Sequence, residues 1–431
     1  MLTPMTAPFD RAHTDDLMGF LAASPSPYHA AANAAERLEK AGFRQVSETA
    51  AWDGAPGGRY VQRGGALIAW YVPESATPAT GFRIIGAHTD SPNLRVKPVP
   101  DTGRAGWKQI AVEIYGGTLL NTWLDRDLGL SGRLALRNGE AVLVNADRPL
   151  LRVPQLAVHL DRGVNEGLKL DRQQHMTPVW GLGTPREGEL IEFLAAEAGV
   201  APRDVLGFDL MAHSVEPPAY LGRDQELLAG PRMDNLLSVH AATAALVTAA
   251  AAGDLAHIPV LAAFDHEENG STSDTGAHGP LLGRVLKRSV AARGGDYEDR
   301  ARALADSFCL SSDTGHAVHP NYTERHDPTH HPLAGGGPIL KTNVNQRYAT
   351  DGTGRAVFAA ACERAGVPWQ TFVSNNAVPC GTTIGPITAA RHGIATVDVG
   401  AAILSMHSAR ELCAATDPFH LANAMTAFLR P

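Results

Sequence analysis

The sequence has little cysteine, no excess of positive charge and no apolar run of membrane-spanning length. Four cysteines occur in 431 residues, and none of them forms a C-x-x-C pair. This scarcity argues against a disulfide scaffold and against a cysteine-rich zinc module, so we expect reduced thiols. The most apolar stretch, 241–252, is mostly alanine and falls short of the roughly 20 residues that span a bilayer. These absences favour a folded globular protein.

The charge balance is acidic. The chain carries 37 Lys and Arg against 45 Asp and Glu, which gives a formal net charge of −8. Such a chain has no global positive field to collect nucleic acid or an anionic membrane, so neither is an expected partner. Asp10, Asp15 and Asp16 precede any apolar run, whereas a signal peptide starts with a basic segment. We therefore expect a cytoplasmic protein.

Short apolar runs alternate with helical stretches along the chain, which predicts a layered α/β fold. The runs are bounded by Gly, Pro or polar residues, as buried strands are. Predicted strands lie at 67–72, 82–88, 258–264, 307–311, 370–373 and 395–399. Predicted helices lie at 26–41, where Ser26 can cap and Pro27 can begin the helix, and at 235–252 and 297–305. The strands are expected to form one mixed central sheet.

Between about residues 92 and 230 the pattern changes to shorter β-like runs. Examples are IAVEIYGG, SGRLALR and AVLVNA, and Asn138-Gly139 is a hairpin signal. The sequence therefore predicts a discontinuous α/β domain from residues 1–91 and 231–431, with residues 92–230 inserted as a β-rich second domain.

Polar residues suited to chemistry follow the predicted strands, where open α/β sheets build their sites. They are His88-Thr89-Asp90, Asp265-His266-Glu267-Glu268, Ser312-Asp313 and, more distantly, His407; Asp234 opens a predicted helix. A histidine two residues from an aspartate can bind metal through one ring nitrogen while the carboxylate orients the ring, which suits His88 and Asp90. Adjacent buried glutamates need a compensating cation. One of Glu267 and Glu268 could then bind metal while the other moves protons.

The charge count favours two divalent ions over one. Asp234, Glu268 and Asp313 together with a bridging hydroxide carry about −4, which two divalent cations balance. Mixed histidine and carboxylate ligands suit zinc, with cobalt or manganese as substitutes. Two such ions can activate a hydroxide and polarise a carbonyl, so the expected chemistry is hydrolysis.

Simpler interpretations exist for each residue. A histidine at a strand end can be an ordinary polar residue, and Asp234 can be a helix cap. The histidines at 316, 319, 326, 330 and 331 could form a separate metal site, although surface or packing roles are the more common explanation. The sequence lacks H-E-x-x-H, a P-loop, G-x-S-x-G and a strand-linked G-x-G-x-x-G, which removes those enzyme classes.

At these residues the sequence resembles the aspartyl aminopeptidase family of dinuclear zinc exopeptidases, and the similarity runs through nearly the whole chain. The stretches that carry it include SPSPYHAAANAAERLEKAGF, GAHTDSPNLRVKP, GGTLLNTWLDRDLGLSGR, PRMDNLLS, DHEENGSTSDTGA, LKTNVNQRYATDG and LSMHSARE. The order and number of these stretches make the resemblance specific.

The resemblance implies roles for individual residues. His88, Asp234 and Asp313 would hold one metal; Asp234, Glu268 and His407 would hold the other, with Asp234 as the bridge. Glu267 would be the general base and Asp90 the residue that orients His88. It also implies that 92–230 is an oligomerisation domain and that the chain forms a homododecamer. His159 would then reach the active site of a neighbouring subunit, and Lys341 would bind substrate, with Arg347 as the reserve candidate.

The predicted function is a metal-dependent aminopeptidase that removes N-terminal residues, preferably Asp or Glu, from peptides with a free N-terminus. A hydroxide bridging two metals would attack the scissile carbonyl. Two alternatives stay open: the same machinery with neutral or broad specificity, and an inactive assembly protein with the same fold.

Overall fold

The computed structural model describes residues 10–431, so the first nine residues of the predicted 1–91 part lie outside the described residues. The helices within that span are α1 (Arg11–Ala23), α2 (Pro27–Lys40), α3 (Glu189–Glu197), α4 (Met233–Ala252), α5 (Leu281–Ala292), α6 (Tyr297–Ala305), α7 (Gly352–Ala365), α8 (Ile384–His392) and α9 (Asp417–Leu429). The strands are β1 (Arg44–Gln45), β2 (Gly57–Arg63), β3 (Ala66–Val72), β4 (Phe82–His88), β5 (Asn93–Arg104), β6 (Trp107–Tyr115), β7 (Leu128–Leu136), β8 (Ala141–Leu151), β9 (Val179–Leu182), β10 (Val205–Ser214), β11 (Ala219–Leu221), β12 (Leu227–Gly230), β13 (Ile258–Phe264), β14 (Phe308–Ser312), β15 (Gly315–His316), β16 (Ile339–Thr342), β17 (Gln370–Val373), β18 (Ala395–Gly400), β19 (Ala402–Leu404) and β20 (Glu411–Ala414).

A mixed central sheet confirms the predicted α/β fold. Its strand order is β1-β2-β3-β13-β4-β14-β18-β16-β17. The four central strands, β13, β4, β14 and β18, run parallel, while β3 and β16 pair antiparallel on either side of them. Every residue of β13 is buried, as expected for a strand with both faces covered. The predicted strands all form, and the largest shift is one residue, at β3, β14 and β18.

Helices cover both faces of this sheet. One buried cluster joins α1, α2, α4, α7 and α9 to one face, and a second joins α5 and α8 to the other. Helix α2 starts as predicted, with the Ser26 hydroxyl accepting from the His29 N–H and Pro27 in the first turn. The fold therefore has three layers, with the sheet between two layers of helices.

Helix α4 is the one helix among residues 10–431 that is long and apolar enough to cross a membrane by length and composition. It begins earlier than the alanine-rich stretch 241–252 suggests. Within its apolar window 67% of the residues are buried inside the protein, and it packs against α9, β4 and β13. Its small side chains allow this close packing, so α4 acts as the core helix of the fold.

The middle of the chain forms a second, antiparallel sheet with the order β8-β7-β10-β5-β6-β9. It has its own buried core, against which α3 packs. The hairpin predicted at Asn138-Gly139 joins β7 to β8, and Gly139 has a φ of +87° that favours glycine.

A third, small sheet has the order β11-β12-β20-β19-β15. Strands β11 and β12 precede residue 231 in sequence, yet β12 pairs with β20, which comes near the C-terminus. This sheet brings the loop before β20 beside the parallel strands of the central sheet.

Candidate metal centre

The candidate site residues converge at the carboxyl ends of the parallel strands. His88 is the last residue of β4, Glu267 and Glu268 follow β13, and Asp313 follows β14. Asp234 lies at the start of α4, where the Asp234–Asn235 peptide bond is cis, and His407 lies in the loop before β20. The structure thus brings together residues that are far apart in sequence.

Two sets of donor atoms lie close enough to hold ions. In the first set, His88 Nε2 is 3.4 Å from Asp234 Oδ1 and 3.5 Å from Asp313 Oδ1. In the second set, His407 Nε2 is 3.6 Å from Asp234 Oδ2 and 3.4 Å from Glu268 Oε2. Asp234 contributes a different oxygen to each set, as a carboxylate between two ions would.

The donor set fits zinc on geometry and on hydrogen bonding. Donors that lie about 2.0–2.2 Å from a tetrahedral zinc stand roughly 3.3–3.6 Å from one another, which matches the separations in both sets. Asp234 Oδ1, Glu268 Oε1 and Asp313 Oδ1 are buried and have no hydrogen-bond partner in the described structure. Buried carboxylate oxygens are rarely left unpartnered unless a cation satisfies them.

Asp90 sits behind the first donor set. Its backbone carbonyl is 3.0 Å from His88 Nδ1, and its Oδ1 is 3.4 Å from the same nitrogen. Its carboxylate also accepts the backbone N–H groups of Glu267 and Glu268, both at 3.0 Å. Asp90 therefore fixes both the imidazole and the turn that carries the two glutamates.

Glu411, which the sequence analysis did not single out, does the same for the second set. Its Oε2 accepts the N–H of Asp234 and its Oε1 accepts the N–H of His407, both at 2.9 Å. The side chain is 2% exposed. An acid four residues after His407 was the available signal, but nothing in the sequence shows that its carboxylate faces the backbone of Asp234.

Glu267 differs from Glu268 in its surroundings. Burial raises the pKa of Glu267 to about 8, and the negative charges of Asp313 and Asp90 add to the shift, against the opposing effect of His88. Burial and Asp234 raise the pKa of Glu268 as well. A carboxyl group with a pKa near neutrality can take up and release a proton at working pH.

Lys341 lines the same cavity as the donor sets, a space of about 280 Å³. It lies on β16 and is 1% exposed, so its ammonium group is buried rather than solvated. Its Nζ donates to Thr314 O at 2.9 Å and lies 4.0 Å from Asp313 Oδ2. Burial alone would raise the pKa of Asp313, but Lys341 and His88 lower it to about 2. Arg347, the reserve candidate, is exposed.

His159 lies apart from the donor sets. It is exposed and occupies a turn in the segment that links β8 to β9. The histidines at 316, 319, 326, 330 and 331 do not join one another in any candidate metal group found among residues 10–431; all such groups lie at the site described above. His316 lines the cavity itself.

Comparison with known proteins identifies the family of this chain. Residues 20–429 match the family described as aminopeptidase I zinc metalloprotease (M18). The chain is 77% identical over 424 residues to a probable M18 family aminopeptidase 2 of Streptomyces avermitilis, covering 98% of each chain.

Among solved structures, one of the Ape4 and Nbr1 complex is similar with a TM-score of 0.94 and 35% identity, over 97% of this chain and 85% of that one. The mApe1 dodecamer of S. cerevisiae is similar with a TM-score of 0.85 and 29% identity, over 97% and 96% of the two chains. The chain belongs to the M18 family of zinc metalloproteases and is an aminopeptidase, a hydrolase of peptide bonds.

Proposed function

We propose that this aminopeptidase works with two divalent metal ions and prefers peptides whose N-terminal residue is Asp or Glu. The observation that carries the two-ion part is the pair of donor sets that share Asp234 through separate oxygens. His88, Asp234 and Asp313 would hold one ion, and Asp234, Glu268 and His407 the other. Zinc suits these ligands best, with cobalt or manganese as substitutes.

Bound ions of this kind polarise a carbonyl and make water a stronger nucleophile at neutral pH. Glu267 takes a proton from the attacking water, which forms the hydroxide of the predicted mechanism, and returns that proton to the leaving amine. Its position supports this role, because its carboxyl oxygen falls in one group with donor atoms of His88 and Glu268. Asp90 keeps His88 and the glutamate turn in place.

The acidic preference rests on Lys341. An ammonium group has three N–H donors, and the contact with Thr314 uses one of them. The side chain lines the cavity that holds the metal ligands, and its Nζ also lies 4.0 Å from Asp313 Oδ2. A substrate carboxylate entering this buried space needs a cation, because an unpaired charge there costs several kcal/mol.

The assembly and its location are further parts of the proposal. Residues 92–230 would be the oligomerisation domain and 1–91 with 231–431 the catalytic one, and His159 would complete the site of a neighbouring subunit in a homododecamer. The resemblance to the S. cerevisiae mApe1 dodecamer supports such an assembly. The cytoplasmic location stays a prediction from the sequence.

A panel of chromogenic substrates tests the proposed function. Aspartyl, glutamyl and leucyl derivatives are assayed on the metal-reconstituted protein, with bound metal measured in parallel and an N-acetylated substrate as the control. We expect about two ions per chain, faster release from the acidic substrates, and loss of activity with chelator. Equal rates on all three would favour broad specificity. Two bound ions without any hydrolysis would favour the inactive assembly protein.

A further inference from the structure

We propose that residues 115–117, at the end of β6 in the six-stranded sheet, position ligands of both candidate metal ions. This inference rests on the two-ion site proposed above and adds Tyr115, Gly116 and Gly117 to the groups on which that site depends.

Tyr115 acts on the first ion's ligands through Asp90. Its hydroxyl donates to Asp90 Oδ2 at 2.8 Å, and the side chain is 8% exposed. Burial beside Asp90 raises the pKa of Tyr115, so the hydroxyl keeps its proton and acts as the donor. Asp90 also accepts from the Glu268 N–H at the same oxygen and contacts His88. Tyr115 is therefore the side-chain donor that holds the carboxylate through which His88 and the glutamate turn are oriented.

Gly117 acts on the second ion's ligands through its backbone. Its carbonyl oxygen is 3.1 Å from His407 Nδ1, the ring nitrogen opposite the one that faces Asp234 and Glu268. A hydrogen bond to that nitrogen sets which nitrogen is free to bind metal and how the ring is turned. Two residues later, the Leu119 N–H donates to the His407 carbonyl at 3.1 Å. The backbone from Gly117 to Leu119 therefore contacts both the ring and the main chain of His407.

The two glycines allow this approach because a side chain at either position would crowd the metal ligands. A Cβ at Gly117 would lie 3.0 Å from His407 Nδ1, and a Cβ at Gly116 would lie 3.1 Å from Glu268 Cβ. Gly116 also has a φ of +73°, which favours glycine. The two glycines thus lie against Glu268 and His407, two ligands of the second ion, while Tyr115 reaches His88 of the first ion through Asp90. At these distances the loss or gain of one atom should change metal binding.

The first experiment removes one oxygen atom. Tyr115→Phe keeps the ring, and Tyr60→Phe is the matched control because Tyr60 is also buried and donates to a carboxylate, that of Glu39, away from the donor sets. Zinc affinity is measured by competition with a chromogenic chelator, and the absorption spectrum of the cobalt-substituted protein reports ligand geometry. We expect Tyr115→Phe to weaken zinc binding by about 10- to 100-fold and to alter the cobalt spectrum. Tyr60→Phe should leave both unchanged.

The second experiment adds one carbon atom. Gly117→Ala places a methyl group against the His407 ring, whereas Gly19→Ala, on the exposed face of α1, meets nothing within 4 Å. We expect Gly117→Ala to lose one zinc ion per chain to chelator at concentrations at which the parent protein keeps two. Gly19→Ala should retain both ions.

Thermal unfolding of the metal-free proteins separates positioning from general damage. Equal unfolding midpoints together with weaker zinc binding support the inference. Unchanged zinc affinity and cobalt spectrum in Tyr115→Phe and Gly117→Ala would overturn it, as would an equal loss in the two control variants. If the parent protein itself bound fewer than two ions, the proposed function would fail instead, so the two failures are distinguishable.

Discussion

Glu267 and Glu268 are sequence neighbours whose carboxyl groups have different surroundings. Glu268 is 3.4 Å from His407 Nε2 and belongs to a donor set that can hold an ion. Glu267→Gln removes a proton acceptor but none of the residues that we propose as metal ligands. We expect this variant to bind two ions, to keep its fold, and to lose about 10²- to 10⁴-fold in kcat, measured on an aspartyl substrate with metal analysis of the same sample.

Glu268→Gln should behave differently, because it replaces a charged ligand in a buried site. We expect it to lose occupancy at one ion, as measured by elemental analysis after dialysis against a weak chelator. If Glu268→Gln kept two ions and Glu267→Gln bound fewer, the roles of the two residues would have to be exchanged.

Lys341 is a buried cation that points into the cavity of the donor sets. Replacing it with leucine removes the charge that a substrate carboxylate would meet. We expect Lys341→Leu to lower kcat/KM for N-terminal Asp or Glu by about 2–4 kcal/mol, or roughly 30- to 1000-fold, with a much smaller loss on leucyl substrates.

Arg347→Leu is assayed in the same way as a test of the reserve candidate, and we expect a smaller effect because Arg347 is exposed. Bound metal is measured in both variants, since Lys341 also lies 4.0 Å from Asp313 Oδ2. Equal losses on aspartyl and leucyl substrates with full metal content would argue against charge recognition.

At the scale of single residues, the sequence predicts the site residues that follow strands, because the carboxyl ends of parallel strands meet at one edge of a sheet. His88, Glu267 and Asp313 are found in this way. It does not predict Tyr115 or Glu411. Tyr115 contacts Asp90 and Glu411 contacts Asp234, and both contacts depend on how elements that are distant in sequence pack together. An acid or a tyrosine in a strand has no local pattern that distinguishes such a partner from an ordinary core residue.

At the scale of elements, the strongest predictions concern segments whose burial pattern is local. Strand β13 is apolar throughout, so its sequence predicts both of its ends. Helix α2 has a serine cap and a proline in its first turn, which predict where it begins. The pairing of β12 with β20 could not be predicted, because the 180 residues from 231 to 410 separate them and four-residue strands carry little register information.

Asp417, in the first turn of α9, anchors the loop that leads into β16. Its carboxylate accepts the N–H groups of Gly335 and Gly337 and is fully buried. Burial raises the pKa of Asp417 to about 7, from an ordinary value of 3.8. The folded protein therefore holds this proton more tightly than the unfolded chain does, and the stabilisation is complete below about pH 4 and is lost as the pH rises through about 7.

We therefore expect Asp417→Asn to gain stability relative to the parent protein as the pH is raised from 5 to about 8, measured as the difference in thermal unfolding midpoints. Asp53→Asn is the control. Hydrogen bonds from Arg44 and Arg59 lower the pKa of Asp53, so that carboxyl is ionised in both states over this range and its difference should stay constant. A constant difference for Asp417→Asn would contradict the prediction.

At the scale of the whole molecule, the segment linking β8 to β9 exposes apolar side chains beside His159, including Leu156, Val158 and Leu160. Exposed apolar groups that lie together favour contact with another protein surface.

We expect His159→Ala to assemble normally but to lose activity, and an isolated monomer to be inactive. His331→Ala is the control. A fully active monomer, isolated by size exclusion under assay conditions, would remove the role of His159 in a neighbouring site.

Mixed assemblies give a sharper measurement of the same prediction. His159→Ala and Glu267→Gln chains are each expected to be inactive alone. After dissociation and joint reassembly, some sites would combine an intact Glu267 with an intact His159 from the neighbouring chain. Recovered activity supports a shared site, whereas no recovery from correctly mixed particles would place His159 outside it.

The buried oxygens of Asp234, Glu268 and Asp313 that have no hydrogen-bond partner affect how much of the protein a cell can keep. An ion that binds only the folded chain stabilises it, by about 2.7 kcal/mol when its free concentration is 100 times its dissociation constant. When zinc becomes scarce, the chain loses that contribution and the fraction open to proteolysis rises. We expect the abundance of this peptidase to follow the metal supply, so that starvation for zinc removes the protein as well as its activity.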